Sequence, residues 1–380
     1  MNVVQLRKLA YDEVAKCSKC GFCLPSCPIY LVLRTESASP RGRNAVTRAV
    51  IEDRLEWSED VEKTIFRCLG CGACTVACFP SIKTRDVVFK DRECLVNEGF
   101  YPKITEKLAE YLETKHNISN EDNEERGDWQ ELLGDLPEHY FEKERAEVVY
   151  FVGCVASFFP MAQKIPASMA RIMEHAGVDF TVLGGEEWCC GYPLIGAGMP
   201  EKMTSLMEHN LRKVKETGAK QIVFTCPSCY HTWKTFYKTD VDILSSAEFI
   251  SGLLNEQRLH LNSLEAKVTY HDPCDLGRNS GVFEPPREVL KALPGVDFVE
   301  LPNNRQMCTC CGGGGNLEMV DPELSARVAQ MKIDEILKTG ADTVASSCQQ
   351  CLRTIATRAR RTKTTLKVKD LTELVAEALA

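Results

Sequence analysis

Ten cysteines in the second half of the chain fall into two sets with the same spacing. The first reads Cys154, then Cys189–Cys190–Gly191, then Cys226–Pro227–Ser228–Cys229. The second reads Cys274, then Cys310–Cys311–Gly312, then Cys348–Gln349–Gln350–Cys351. The intervals are 34 and 35 residues in the first set and 35 and 36 in the second. Five thiols are one more than a tetrahedral metal ion uses. The side chains of an adjacent Cys-Cys pair also rarely converge on a single ion. Each set therefore suits a multinuclear iron–sulfur site.

Two more cysteine runs lie near the start. Cys17-x2-Cys20-x2-Cys23-x3-Cys27-Pro28 is the bacterial ferredoxin pattern in full. Cys68-x2-Cys71-x2-Cys74-x3-Cys78 repeats it, with Phe79 inserted before Pro80. Where this pattern occurs, the fourth cysteine of each run ligates the other cluster. That assigns Cys17, Cys20, Cys23 and Cys78 to one [4Fe–4S] cubane, and Cys68, Cys71, Cys74 and Cys27 to a second. Zinc knuckles fit a CxxCxxC triple followed by Cys-Pro far less well.

These ligands need elements to hold them. The segment between the two runs is rich in helix formers with apolar residues at three- and four-residue spacing, so residues 1–100 read as a helical two-cluster domain. Residues 101–146 read as a helical, acidic, solvated connector that carries no site. From Glu147 the texture becomes alternating strands and helices. EVVYFVGC ends at Cys154, and IPASMARIMEHAG reads as a helix stopped by Gly177. The same order returns with KVTYHDPC and the segments that follow it. Corresponding cysteines lie 120, 121, 122 and 122 residues apart, which indicates an internal duplication. The expected fold is α+β overall: the helical domain, then two α/β repeats at 147–260 and 261–380 with mostly parallel sheets. Cys154, Cys226, Cys274 and Cys348 come at or just past strand carboxyl ends, the edge where open α/β sheets bind ligands.

The duplicated half resembles the CCG-domain proteins, named for their Cys-Cys-Gly segment, which include the B and D subunits of heterodisulfide reductase. The order of a ferredoxin domain followed by two CCG repeats is similar to the D subunit. The run Cys310-Cys311-Gly312-Gly313-Gly314-Gly315-Asn316 resembles the disulfide reductase branch. Glu36-Ser37-Ala38-Ser39-Pro40-Arg41-Gly42-Arg43 resembles the glycolate and lactate oxidase iron–sulfur subunits instead. The resemblance implies a non-cubane [4Fe–4S] cluster in each repeat. Cys154, Cys189, Cys190, Cys226 and Cys229 would hold the first. Cys274, Cys310, Cys311, Cys348 and Cys351 would hold the second, with zinc in one of the two sites as the alternative.

The implied activity is an oxidoreductase that reduces a disulfide or oxidises thiols, which moves two electrons per bond. His231 and His271 are candidate proton donors, since imidazole titrates near neutrality; a structural role is the competing reading of each. The alternative is an electron relay without thiol chemistry. It would serve a flavin-dependent 2-hydroxy acid dehydrogenase, an electron-transferring-flavoprotein/quinone system or a coenzyme A ester-linked complex. No GxGxxG fingerprint follows a strand, so a flavoprotein or a membrane cytochrome b subunit is the expected electron partner. Cys94 and Cys308, outside every motif, read as buried structural thiols. The glycines 312–315 read as a close backbone approach to a cluster. Arg41, Arg43 and Arg48 read as a solvated face, with a docking patch for an acidic partner as the other possibility.

The 380 residues hold 20 cysteines and carry a net charge of −8. That length and the missing signal-peptide core argue against a disulfide scaffold and for reduced thiols in the cytoplasm. No apolar run approaches the roughly 18 residues that span a bilayer, so membrane association would come through a partner subunit. Nothing points to nucleic acid.

Overall fold

A computed structural model describes residues 1–134 and 143–380. Part of the expected connector, 135–142, thus lies outside the described residues. The chain divides into two compact units. One comprises Met1–Ala109, Pro193–Lys202 and Asn303–Ile333, and the other Glu110–Tyr192, Met203–Pro302 and Asp334–Ala380.

The first unit is helical. Helices Val3–Ala15, Pro40–Ile51 and Thr84–Asn97 pack on one another around Leu6, Ala10, Val14, Ile51, Val87 and Cys94. Helix Pro40–Ile51 starts cleanly: Ser39 Oγ accepts from Gly42 N at 2.9 Å, and Pro40 fills the first turn, where no N–H is needed. The returning segment 303–333 belongs here, and glycine makes that possible. A Cβ on Gly315, at φ +59°, would lie 2.6 Å from the Cys68 carbonyl oxygen, and one on Gly314 would lie 3.1 Å from that of Leu69. The partner in this close approach is therefore the backbone of the second ferredoxin run, where the sequence suggested a cluster. Arg92, fully buried, ties the two strands of chain together by donating to Cys68 O at 2.6 Å and Gly315 O at 3.0 Å.

The second unit holds two four-stranded parallel sheets. The first contains β1 (Val148–Phe151), β2 (Phe180–Thr181), β3 (Gln221–Phe224) and β4 (Asp242–Ser245), in the order β2-β1-β3-β4. The second contains β5 (Ala266–Tyr270), β6 (Val296–Glu300), β7 (Thr343–Ser346) and β8 (Lys367–Asp370), in the order β6-β5-β7-β8. The order is the same, as the duplication requires. β1 and β7 are buried along their whole length, and β1 (Val148-Val149-Tyr150-Phe151) accordingly reads as an unbroken apolar run. The repeats even share a buried polar link: Tyr150 Oη lies 2.9 Å from Thr225 Oγ1, and Tyr270 Oη donates to Ser347 Oγ at 3.2 Å. One apolar core spans both sheets, from Tyr150, Met169 and Phe180 to Tyr270, Leu290 and Leu374. Helix Lys164–His175 stops just before Gly177, which takes φ +61°.

Candidate metal centres

Each sheet has a topological switch point, because the first strand has its successor on one side and the third strand on the other. Ligands bind outside the carboxyl ends at that point. β1 ends three residues before Cys154, and β3 ends two before Cys226. Cys226 caps helix Pro227–Phe236, with Pro227 in its first turn. The vicinal pair arrives by the loop after β2. All five thiols are buried and run as a hydrogen-bonded series: Cys154 to Cys189, Cys189 to Cys190, Cys190 to Cys229, Cys229 to Cys226.

The electrostatics of this set are those of a ligand cluster. Hydrogen bonds from Cys189 and Cys229 hold the Cys190 thiol down at about 6. Cys229 and the helix-start N–H groups lower Cys226 likewise. Cys154 is pushed well up, by its bond to Cys189 and then by burial. So many buried thiols cannot all ionise unless cations neutralise them. The donor set thus fits a metal cluster, and soft thiolates fit iron. Gly153 completes the cradle: at φ +82°, a Cβ there would lie 3.4 Å from Cys229 Sγ.

Three residues around this set were not legible as site residues. Arg126, from the connector, is 1 % exposed and places Nη2 3.5 Å from Cys154 Sγ. Its Nη1 pairs with Glu187 at 2.8 Å, and Glu187 also accepts from Val152 N at 2.7 Å and Gly153 N at 2.8 Å. Burial pushes the Glu187 carboxyl up, while Arg126 and these N–H groups oppose it. The connector is therefore not solvated throughout, since Trp129 and Leu133 are buried as well. Gln349, inside the second CxxC, accepts from Ala156 N at 3.1 Å and donates to Val152 O at 2.6 Å and Thr225 Oγ1 at 2.9 Å.

In the second repeat, Cys274 follows β5, and Cys348 caps helix Gln349–Arg361, accepting from Cys351 N at 3.2 Å. Cys310 and Cys311, both buried, belong to the helical unit. Asp275 accepts from Ser228 Oγ at 2.8 Å, mirroring the reach of Gln349. His231, on helix Pro227–Phe236, lies 3.1 Å from Ser280 Oγ through Nδ1. His271 is buried just after β5, with its backbone bonded to Ala345 and to Ser346 Oγ.

The ferredoxin runs line two hollows. One is lined by Cys68, Cys71, Cys74 and Cys27, with Arg43, Arg85 and Thr84. The other is lined by Cys17, Cys20, Cys23 and Cys78, with Phe22 and Arg41. Cys74 and Thr84 line both, so the hollows are neighbours. Burial pushes Cys23 up to about 11 and raises Cys27 and Cys74 as well. Arg41 and Arg48 pair with Glu36 and Glu52, whereas Arg43 is buried and so is not on the solvated face that the sequence suggested. Cys94 and Cys308 are both buried. Among the described residues, no helix is long and apolar enough to cross a membrane.

The fold and the thiol sets define a class, the iron–sulfur proteins with a dicluster domain and duplicated cysteine-rich domains. The cysteine-rich (CCG) domain model matches twice, at 148–234 and 268–356, and the 4Fe-4S dicluster domain model matches 13–82. The chain is 31 % identical over 393 residues to the D subunit of the dihydromethanophenazine:CoB–CoM heterodisulfide reductase of Methanosarcina mazei, covering 97 % of this chain and 94 % of that protein. It belongs to the family of heterodisulfide reductase D subunits, as an iron–sulfur oxidoreductase subunit. It is also 27 % identical to the B subunit of the fumarate reductase (CoM/CoB) of Methanothermobacter marburgensis, over 92 % of this chain and 70 % of that protein. A further relative is the EtfAB:quinone oxidoreductase of Syntrophomonas wolfei, 27 % identical over 91 % of this chain and 50 % of that protein.

Proposed function

We propose that this protein is the iron–sulfur subunit of a heterodisulfide reductase-like complex, which reduces a disulfide or oxidises thiols at its cysteine-rich repeats. The observation that carries this reading is the buried series of five thiols at the first switch point, with none of the ten motif cysteines missing from the sequence. Cys17, Cys20, Cys23 and Cys78 would hold one cubane, and Cys68, Cys71, Cys74 and Cys27 the other. Cys154, Cys189, Cys190, Cys226 and Cys229 would hold a first non-cubane [4Fe–4S] cluster. By the family pattern, Cys274, Cys310, Cys311, Cys348 and Cys351 would hold a second. When bound, such clusters supply one-electron storage and iron that accepts thiolate sulfur.

Reduction of one disulfide takes two electrons and gives two thiolates, which leave after taking up two protons. His231 and His271 are the proposed proton donors. In the first repeat, Arg126 offers a fixed cation beside Cys154, which favours anionic sulfur there. Electrons come from a partner, a flavoprotein or a membrane cytochrome b subunit, at a cytoplasmic position. The similarity to the EtfAB:quinone oxidoreductase favours a second reading, a relay between a flavoprotein and a quinone with no thiol chemistry.

Anaerobic purification with iron and acid-labile sulfide analysis tests the first reading, followed by EPR of the oxidised protein with and without added thiols. About 16 irons per chain and a thiol-dependent paramagnetic signal are expected from four clusters of four. About 8 irons, with zinc and no response to thiols, would replace disulfide chemistry by the relay.

A further inference from the structure

The two ferredoxin hollows differ in how their nearest cations are compensated. Arg41 and Arg43 stand two residues apart in the first turns of helix Pro40–Ile51, yet they line different hollows. The Arg41 side chain is 26 % exposed and lies fork-to-fork on Glu36, at 2.7 and 3.0 Å, with Nη1 on Lys19 O at 2.8 Å. Its charge is offset by a carboxylate and screened by water. Arg43 is 1 % exposed, donates from Nε to Thr64 O at 2.9 Å, and among the described residues has no carboxylate partner. Its Nη2 is buried without any hydrogen bond. A guanidinium does not shed its proton inside a protein, so this is a full, uncompensated charge beside Cys27, Cys68, Cys71 and Cys74.

Net charge, hydrogen bonding and solvent exposure set the potential of a thiolate-held cluster. Reduction adds one negative charge. Burial makes that addition harder, whereas a nearby unpaired cation makes it easier, and more so where water cannot screen it. Cys20 of the Arg41 hollow is exposed, while Cys27 and Cys71 of the Arg43 hollow are buried. Without Arg43, and Arg85 which also lines it, the buried hollow would be the harder of the two to reduce.

We propose that Arg43 is a positioning residue that raises the reduction potential of the group held by Cys27, Cys68, Cys71 and Cys74, offsetting the burial of that hollow. This rests on the two-cluster reading above, and it assigns a role to an arginine of this chain that pairing and solvation leave unexplained. Thr84 and Cys74, which line both hollows, then mark the side on which the two groups lie closest.

The test is an EPR-monitored redox titration of the full-length protein, with iron and sulfide measured on every sample. Arg43→Gln is expected to lower one of the two low-potential midpoints and leave the other in place. Arg43→Lys should restore most of the shift, and Arg41→Gln should leave the Arg43-sensitive midpoint unmoved. The proposal is overturned if Arg43→Gln moves neither midpoint or both equally at full iron content, or if Arg43→Lys falls as far as Arg43→Gln. If Arg43→Gln loses iron, the wild type decides: its Arg43-side midpoint should hold between low and high salt while the other shifts, and equal shifts would reject the proposal. Wild-type protein without iron at the ferredoxin runs would instead overturn the two-cluster reading itself.

Discussion

The two cysteine-rich repeats share a skeleton and differ in the charges built around it. Both have the same strand order, a cysteine after the first strand, and a buried tyrosine bonded to the hydroxyl residue before the CxxC motif. Each also buries an arginine–carboxylate pair, but the parts come from different places. In the first repeat Arg126 comes from the connector and Glu187 from two residues before Cys189. In the second, Asp272 lies two residues before Cys274, and Arg287 comes from helix Pro285–Ala292. The position matching Glu187 is Cys308. Duplication therefore preserved the topology, which sets where thiols converge, and left the electrostatic frame to be rebuilt separately. In the first repeat that frame reaches the thiols directly through Arg126.

The sharpest way to break this comparison is Glu187→Ala. It leaves Arg126 buried without its carboxylate partner, and orphans the Val152 and Gly153 N–H groups. Removing one partner of a buried pair costs about 3–5 kcal/mol. A large fall in Tm is expected and, on the proposed cluster assignment, a loss of iron with it. An unchanged Tm would show that the Arg126–Glu187 pair does not support the first thiol set.

Next in size is Gln349→Ala. Gln349 sits in the second CxxC where the first has Pro227, and its amide carries three bonds into the first repeat. Truncation strands buried partners, each worth about 1–3 kcal/mol, with some relief from relaxation. A loss of about 2 kcal/mol in denaturant unfolding is the expected outcome. A loss near zero would mean that the core alone aligns the repeats.

The helices after β4 and β8 offer a pH test. Ser245 caps the first and Asp370 the second, each in a capping box. Asp370 is fully buried, its Oδ2 lacks a hydrogen bond, and burial pushes its carboxyl up to about 7. The unfolded carboxyl titrates near 4. The folded state therefore favours the protonated form, and stability is lost as pH rises from about 4 through about 7. Asp370→Ser installs the first repeat's cap. Its stability relative to wild type should rise across that window, by roughly 4 kcal/mol by pH 8. A difference independent of pH would refute this assignment.

The legible part of the molecule is the part written in local pattern. The apolar run at Val148–Phe151 and the alternation of strand and helix segments gave the parallel strands, and the steady cysteine offset gave the repeat. The ferredoxin spacing suggested pairing Cys27 and Cys78 with the opposite runs; Cys27 lines one hollow with Cys68, Cys71 and Cys74, and Cys78 lines the other with Cys17, Cys20 and Cys23. Arg126, Glu187 and Gln349 stayed hidden because their roles depend on contacts 28, 34 and 193 residues away in sequence. Arg126 sits in an acidic stretch, which reads as solvated. Trp129, an aromatic out of place in such a stretch, was the one available sign that it folds inward. The glycines 312–315 signalled a close approach correctly, but not that Gly314 and Gly315 meet the chain's own backbone at Cys68 and Leu69.

The smallest expected effect tests whether the second repeat's arginine depends on one anion, as Arg126 depends on Glu187. Arg287 grips Asp272 through both η nitrogens at 2.7 and 2.9 Å, and also donates to Glu300 and to Phe283 O. The Glu300 side chain is 32 % exposed, so water screens its share and solvates what is left when its charge is removed. Glu300→Gln keeps the acceptor oxygen and leaves Arg287 paired with Asp272. Thermal unfolding should therefore show a loss below about 1 kcal/mol, with the protein's iron content unchanged. A loss as large as that of Glu187→Ala would mean that Arg287, like Arg126, hangs on a single carboxylate, and that the two frames are equivalent after all.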